Sequence, residues 1–176
     1  MRTILHFWNG IGVGLPTLAG CTPGEQEIRI VDENQEEIDF DAEYDLVGVT
    51  AMTQQAPRAY EIADAFRERG RHVALGGIHP TVMPDEASGH ADTIFVGEAE
   101  NSWPEFIRDF ERGEPKARYD ASDYPDVDMK SLPTPRFDLI SQYKYPVIYV
   151  QATRGCPHDC EFCVASNVYG RHYKYK

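Results

Sequence analysis

Apolar residues along the chain fall into short runs that alternate with amphipathic stretches. Five runs are rich in β-branched and aromatic residues and are bounded by Gly, Asp or Pro, which predicts strands. They lie at residues 2–8, 27–31, 45–50, 72–75 and 93–96. The last three runs are almost wholly apolar, as is typical of parallel strands covered on both faces.

Two helices are predicted between or after these strands. Residues 55–69 space apolar side chains at i, i+3, i+4 and i+7, which gives one apolar face, and Gly70 then ends the helix. The second helix begins at Ser102 with Ser-Trp-Pro-Glu, a capping-box sequence, and ends at Gly113. The alternation of strands and helices predicts an α/β fold with a doubly wound, flavodoxin-like parallel sheet of five strands.

The chain is predicted to contain two units. Residues 1–118 would form the sheet domain, and residues 119–143, rich in Asp, Ser and Pro, would form a linker. Residues 144–176 would start a second unit with a buried strand at 147–151. In a doubly wound sheet ligands bind beyond the carboxyl ends of the strands, so functional residues are expected at that edge of the first unit.

Charge narrows the range of partners. The 176 residues contain 29 acids and 17 bases, a net charge of -12, which disfavours nucleic acid as a partner. Apolar runs are too short for a membrane-spanning helix, so no membrane partner is expected. Residues 18–21 (Leu-Ala-Gly-Cys) resemble a lipoprotein signal, but the polar residues that precede them disfavour that interpretation.

Three cysteines, Cys156, Cys160 and Cys163, lie within eight residues after the strand predicted at 147–151. A disulfide would leave one of them unpaired, whereas three soft thiolates on one loop can bind a metal or cluster. A zinc site completed by His158 or His172 is the competing interpretation. Cys21 is distant in sequence and is interpreted as a small buried hydrophobe.

The spacing C-x-x-x-C-x-x-C, with Arg-Gly before the first cysteine, resembles the signature of radical S-adenosylmethionine (SAM) enzymes. The resemblance implies that Cys156, Cys160 and Cys163 ligate a [4Fe-4S] cluster and that Phe162 lies near the adenine of SAM. It also implies that an electron from a flavodoxin- or ferredoxin-type donor drives cleavage of SAM to a 5′-deoxyadenosyl radical.

The ends of the predicted strands show a second resemblance. With it, the resemblance to known proteins covers essentially the whole chain. Residues 50–53, 76–81 and 96–100 are similar to the N-terminal cobalamin-binding domain of cobalamin-dependent radical SAM proteins. The resemblance implies that six residues line the crevice for the cobalamin nucleotide tail and corrin edge: Thr50, Thr53, Gly76, Gly77, Gly97 and Glu98. For Glu98 and Glu100, solvated acids at a helix entrance remain an alternative.

Two details of the first strand region bear on the cofactor. Cobalamin carriers of the methionine synthase type place a cobalt-ligating histidine in an Asp-x-His-x-x-Gly motif, but residues 8–12 read Trp-Asn-Gly-Ile-Gly here. Either cobalt binds without a protein imidazole or cobalamin has been lost. His79 is interpreted as a hydrogen-bonding or positioning residue in preference to a substitute cobalt ligand. A nicotinamide site is disfavoured because Leu15 replaces the third glycine of the G-x-G-x-x-G fingerprint.

The sequence therefore predicts the N-terminal part of a cobalamin-dependent radical SAM enzyme that methylates or rearranges an unknown small-molecule or peptide substrate. Reduced thiolates predict a cytoplasmic location. Because the chain ends 13 residues after Cys163, it is expected to be inactive alone. The alternative is a stand-alone cobalamin-binding or sensor module with a vestigial cysteine tail.

Overall fold

The computed structural model of the protein describes residues 12–176. Its centre is a parallel sheet of four strands in the spatial order β1-β2-β3-β4. The strands are β1 (Leu46–Thr50), β2 (His72–Gly76), β3 (Thr93–Val96) and β4 (Arg118–Asp120). In this register Thr50 at the end of β1 lies beside Gly76 at the end of β2.

Helices cover both faces of the sheet. On one face α2 (Ala56–Glu68) and α4 (Pro84–Ala87) pack against the apolar side chains of β1 to β3. On the other face α5 (Trp103–Glu111) packs through Phe106 and Ile107, and α1 (Gly14–Cys21) adds Leu18. The short helix α3 (Ile78–Val82) follows β2. The α/β class and the parallel sheet are confirmed. A doubly wound sheet also requires a point at which the strand order reverses, and no such point lies within residues 12–176.

The two predicted helices are present as α2 and α5. In α2 the predicted apolar face buries Ala59, Ala63 and Phe66, and Gly70 with a φ of 74° ends the helix. In α5 the predicted capping box does not form. The Ser102 hydroxyl donates to the Ala99 carbonyl at 3.2 Å instead.

Two predicted strands and one unpredicted strand differ between sequence and structure. The strand at residues 2–8 lies outside the described residues. The strand at residues 27–31 is not present within residues 12–176: no described strand pairs with this segment, and the Tyr143 hydroxyl donates to the Ile30 carbonyl at 3.0 Å. Conversely, β4 forms where the sequence predicts the start of the linker, because Tyr119 is buried between Phe95 and Phe106.

The C-terminal part also differs from expectation. The buried strand predicted at residues 147–151 is wrong, because Ile148 is 69% and Val150 81% exposed and no strand among residues 12–176 pairs with them. A small antiparallel pair forms instead from β5 (Thr153–Arg154) and β6 (Lys174–Tyr175), with α6 (Ala165–Tyr169) between them.

Short 3-10 turns complete the secondary structure of the described part: Thr53–Gln55, Ala121–Asp123 and Phe137–Ile140. Over residues 12–176, no helix combines the length and apolar character that crossing a bilayer would demand.

Candidate functional site

The candidate site is the set of loops that follow β1, β2 and β3, here called the carboxyl edge (residues 50–53, 76–83 and 97–100). The first two loops are tied together by their backbones. Ala51 N–H donates to the Gly76 carbonyl at 3.1 Å, and His79 N–H donates to the Ala51 carbonyl at 3.0 Å. These bonds hold the ends of β1 and β2 as one rigid surface.

Gly77 is a glycine because its own chain leaves no room for a side chain. Its φ is 99°, and a Cβ atom there would lie 2.7 Å from Thr50 Oγ1 and 2.9 Å from the Ala51 carbonyl oxygen. The group that approaches the Gly77 backbone closely is therefore this chain's own Thr50–Ala51 segment. At Gly76 a Cβ atom would meet only Phe95 Cβ, at 3.6 Å.

Thr81, which the sequence did not single out as a site residue, joins the β2 and β3 loops. Its hydroxyl donates to the Gly77 carbonyl at 2.7 Å and accepts the Gly97 N–H at 3.0 Å. Gly97 has a φ of 83°, and a Cβ atom there would lie 2.6 Å from Ala121 Cβ. The sequence carries no local signal for this contact, because the φ of Gly77 and the approach of Gly97 are set by the fold.

The exposed part of the carboxyl edge carries hydroxyl and thioether groups. Thr50 and Thr53 are exposed, and so are Met52 (46%), Val82 (39%) and Met83 (45%). A large amphiphilic ligand needs both apolar contact and hydrogen-bonding groups on an accessible surface. These side chains fit that requirement.

His79 lies beneath this surface. It is 4% exposed, and its Nε2 lies 2.8 Å from the Tyr60 hydroxyl, while no described residue contacts its Nδ1 by a hydrogen bond. Burial and a hydrogen bond to Glu86 raise the pKa of Tyr60 to about 12, so its phenol stays protonated. His79 is thus buried in contact with Tyr60 of α2.

Glu98 and Glu100 are buried in ion pairs, which rules out solvated acids. Arg154 Nη1 lies 2.7 Å from Glu98 Oε1, and Arg154 Nη2 lies 2.6 Å from Glu100 Oε1. Lys174 Nζ donates to the other oxygen of Glu98. Burial lowers the pKa of Arg154, but the hydrogen bonds and charges of the two carboxylates outweigh it and raise the pKa overall. The side chain of Glu98 therefore points to the C-terminal segment.

The cysteine loop follows Arg154. Gly155 has a φ of 86° and packs against the His172 carbonyl, and Cys156 N–H donates to the Gly170 carbonyl at 3.1 Å. Cys156, Cys160 and Cys163 are free thiols, and Phe162 is 93% exposed.

The described side chains do not form a metal site. Within residues 12–176 no three His, Cys, Asp or Glu side chains are grouped so that they could hold a metal ion. The three thiols are thus not gathered as a ligand set among the described residues, and ligation by the three cysteines stays a prediction.

Cys21 is packed against the cluster of apolar side chains around Phe95 and Trp103. Burial, and then the charge of Glu100, raise the pKa of its thiol to about 11. A protonated thiol is a poor metal ligand, which agrees with its interpretation as a hydrophobe.

Comparison with known proteins identifies the sheet domain. A family model described as the B12 binding domain matches residues 11–107, more than half of the chain. The match covers β1, β2, β3 and all three loops of the carboxyl edge.

Three curated relatives resemble the chain beyond that domain. Bacteriochlorophyllide d C-8(2)-methyltransferase of Chlorobaculum tepidum is 43% identical over 170 residues, which are 92% of this chain and 37% of the relative. Bacteriochlorophyllide d C-12(1)-methyltransferase of the same organism is 39% identical over 76% of this chain and 30% of the relative. Hopanoid C-2 methylase of Rhodopseudomonas palustris is 30% identical over 93% of this chain and 32% of the relative. The chain thus spans about a third of the length of these relatives.

Proposed function

The chain belongs to the B12-binding domain family, and on that premise we propose that it is the N-terminal part of a cobalamin-dependent radical SAM methyltransferase. The observation that carries the proposal is the overlap of the family match with an open carboxyl edge that has both hydroxyl and apolar groups. The names of the three relatives, all methyltransferases or methylases, favour methylation over rearrangement.

Cobalamin would be held at the carboxyl edge. The hydroxyls of Thr50 and Thr53 would bind polar groups of the cofactor, and Met52 and Met83 would pack against its apolar parts, with the backbone of Gly76 and Gly97 close by. A bound cobalamin would supply the methyl group for transfer. Since Thr81 and Gly77 lock the loops together, the surface is preorganised before the cofactor arrives.

The cysteine loop supports the SAM-cleaving part of the proposal through its motif alone. Cys156, Cys160 and Cys163 would ligate the cluster, Phe162 would lie beside SAM, and a flavodoxin- or ferredoxin-type protein would supply the electron. The described thiols are not gathered into a ligand set. The methyl acceptor stays open, because the names of the relatives differ in it.

A stand-alone cobalamin-binding or sensor module is the second candidate. The extent of the family match favours it, because the B12 binding domain matches residues 11–107 and the match does not include the three cysteines. The two candidates differ in iron content and agree in cobalt content.

Anaerobic loading with hydroxocobalamin, ferrous iron and sulfide, followed by gel filtration and metal analysis, tests both. The methyltransferase proposal expects about one cobalt and about four irons per chain. A variant with Cys156, Cys160 and Cys163 changed to alanine is the matched control and should keep cobalt and lose iron. Cobalt without iron in the unaltered chain would favour the module, and absence of cobalt would overturn both candidates.

A further inference from the structure

Four charged side chains form a buried cluster between the carboxyl edge and the C-terminal segment. Glu98 and Glu100 follow β3, whereas Arg154 and Lys174 lie opposite each other in β5 and β6. Each of the four side chains is at most 10% exposed. Two negative and two positive charges balance within what we name the anchor cluster.

The guanidinium of Arg154 is the centre of the cluster. Its two terminal nitrogens bind two different carboxylates, and Nη2 also donates to Gln151 Oε1 at 3.0 Å. The ring of Tyr169 lies 5.7 Å from its Cζ atom. Because the guanidinium is planar and binds two carboxylates at once, the cluster restricts how the two parts of the chain can pack together.

The position of Arg154 in the chain connects this geometry to the cysteine loop. Arg154 directly precedes Gly155 and Cys156, and Lys174 lies on the strand that returns after the loop. Burying charges is costly and does not by itself favour folding, but it can specify one structure over others. Both ends of the segment that carries the three cysteines are therefore fixed to the loop after β3.

We propose that the anchor cluster docks the segment that carries the three cysteines, residues 153–176, on the B12-binding domain. In this proposal Glu98 and Glu100 are positioning residues for that segment and do not contact cobalamin. The inference depends on the proposed function in one respect, that the ligand at the carboxyl edge is cobalamin. It reassigns Glu98, which the sequence resemblance placed in the cobalamin crevice.

Hydrogen–deuterium exchange of the full chain, read with cobalamin titration, tests the inference. In a Glu98→Gln/Glu100→Gln variant, amides of residues 153–176 should exchange at least tenfold faster, while those of β1 to β3 stay unchanged. The affinity for hydroxocobalamin should change by less than about threefold. Arg171→Gln, which removes the exposed pair with Asp159 in the same segment, is the matched control and should leave exchange unchanged.

Substitutions at Arg154 give an independent readout if the double variant loses its sheet. Arg154→Lys keeps the charge and should preserve more protection of residues 153–176 than Arg154→Gln. If residues 153–176 exchange at an unchanged rate in the Glu98→Gln/Glu100→Gln and Arg154→Gln variants, the proposed docking role of the anchor cluster is wrong. It is also wrong if these variants lose affinity for cobalamin while the exchange rate stays the same. If the unaltered chain binds no cobalamin, the proposed function fails, while the exchange rates still decide the anchor.

Discussion

A side chain at Gly77 would place its Cβ atom 2.7 Å from the hydroxyl oxygen of Thr50. The loop after β2 thus closes directly over the end of β1, and the backbone bond from His79 to Ala51 holds it there. The contact explains why the carboxyl edge is a continuous surface. It also makes the fit of these two loops measurable through single substitutions.

Gly77→Ala should strongly destabilise the protein, because the new methyl group meets both Thr50 and Ala51 and because φ is 99°. We expect the free energy of unfolding to fall by about 2–4 kcal/mol in urea denaturation. Gly76→Ala is the matched control, because its Cβ atom would lie 3.6 Å from Phe95 Cβ, an ordinary contact distance. This substitution should lower the free energy of unfolding by less than about 1 kcal/mol. Equal effects at the two positions would contradict the close approach.

Thr81→Val tests the bridge between the β2 and β3 loops. The substitution keeps the shape of the side chain but leaves the Gly97 N–H and the Gly77 carbonyl without their hydroxyl partner. We expect a loss of about 1–2 kcal/mol in the free energy of unfolding. Thr134→Val, at an exposed threonine, should stay within about 0.5 kcal/mol. A Thr81 variant as stable as the control would show that the bridge does not contribute.

Tyr119→Phe tests a buried hydrogen bond under β4. The Tyr119 hydroxyl donates to Asp109 Oδ2 at 2.7 Å, and this bond, with help from Arg112, holds the pKa of Asp109 below its usual value. The variant should lose about 1–2 kcal/mol at neutral pH.

The pH dependence of this loss has a definite sign. Because the folded pKa of Asp109 is lowered, its contribution is present above the unfolded pKa and is lost as pH falls through the folded pKa. The difference between Tyr119→Phe and the unaltered protein should therefore shrink below about pH 4 in denaturation curves. A difference that stays constant from pH 7 to about pH 2 would contradict this. Tyr173→Phe, at an exposed tyrosine, is the control.

Cys21 should resist alkylation. With its pKa raised to about 11, roughly one thiol in a thousand is ionised at pH 8, and the side chain is also half-buried. Peptide mass spectrometry after iodoacetamide treatment should show Cys21 reacting at least tenfold more slowly than the exposed Cys160. The rate at Cys21 should rise as pH approaches about 11. Equal rates at pH 8 would place Cys21 in a different environment.

The sequence predicted those elements whose pattern is local. Local patterns are enough to recognise β1 to β3, which are near-continuous apolar runs, and α2, which has one apolar face. Because the strands are parallel, residues 50, 76 and 97 then lie at one edge of the sheet. By contrast, Ile28 and Ile30 alternate as in a strand, but they pack against Ile140 and tyrosines more than a hundred residues away. Such long-range packing leaves no local signal.

The candidate site was predicted in position but not in its contacts. Gly77 was identified from its place after β2, yet the reason for glycine is the Thr50 side chain, which only the folded register brings near. Glu98 was expected in the cofactor crevice, and its pairing with Arg154 joins residues 56 positions apart. Short apolar runs such as 147–151 predict a strand only if partners exist, and none is present among residues 12–176.

The most direct measurement is a hydrogen-exchange footprint of hydroxocobalamin on the whole chain. If the carboxyl edge holds the cofactor, protection should appear at residues 50–53, 76–83 and 97 and should be absent at the opposite end of the sheet, around Arg67, Arg71 and Asp92. Protection confined to that opposite end, or no protection at saturating cobalamin, would contradict a cobalamin site at the carboxyl edge.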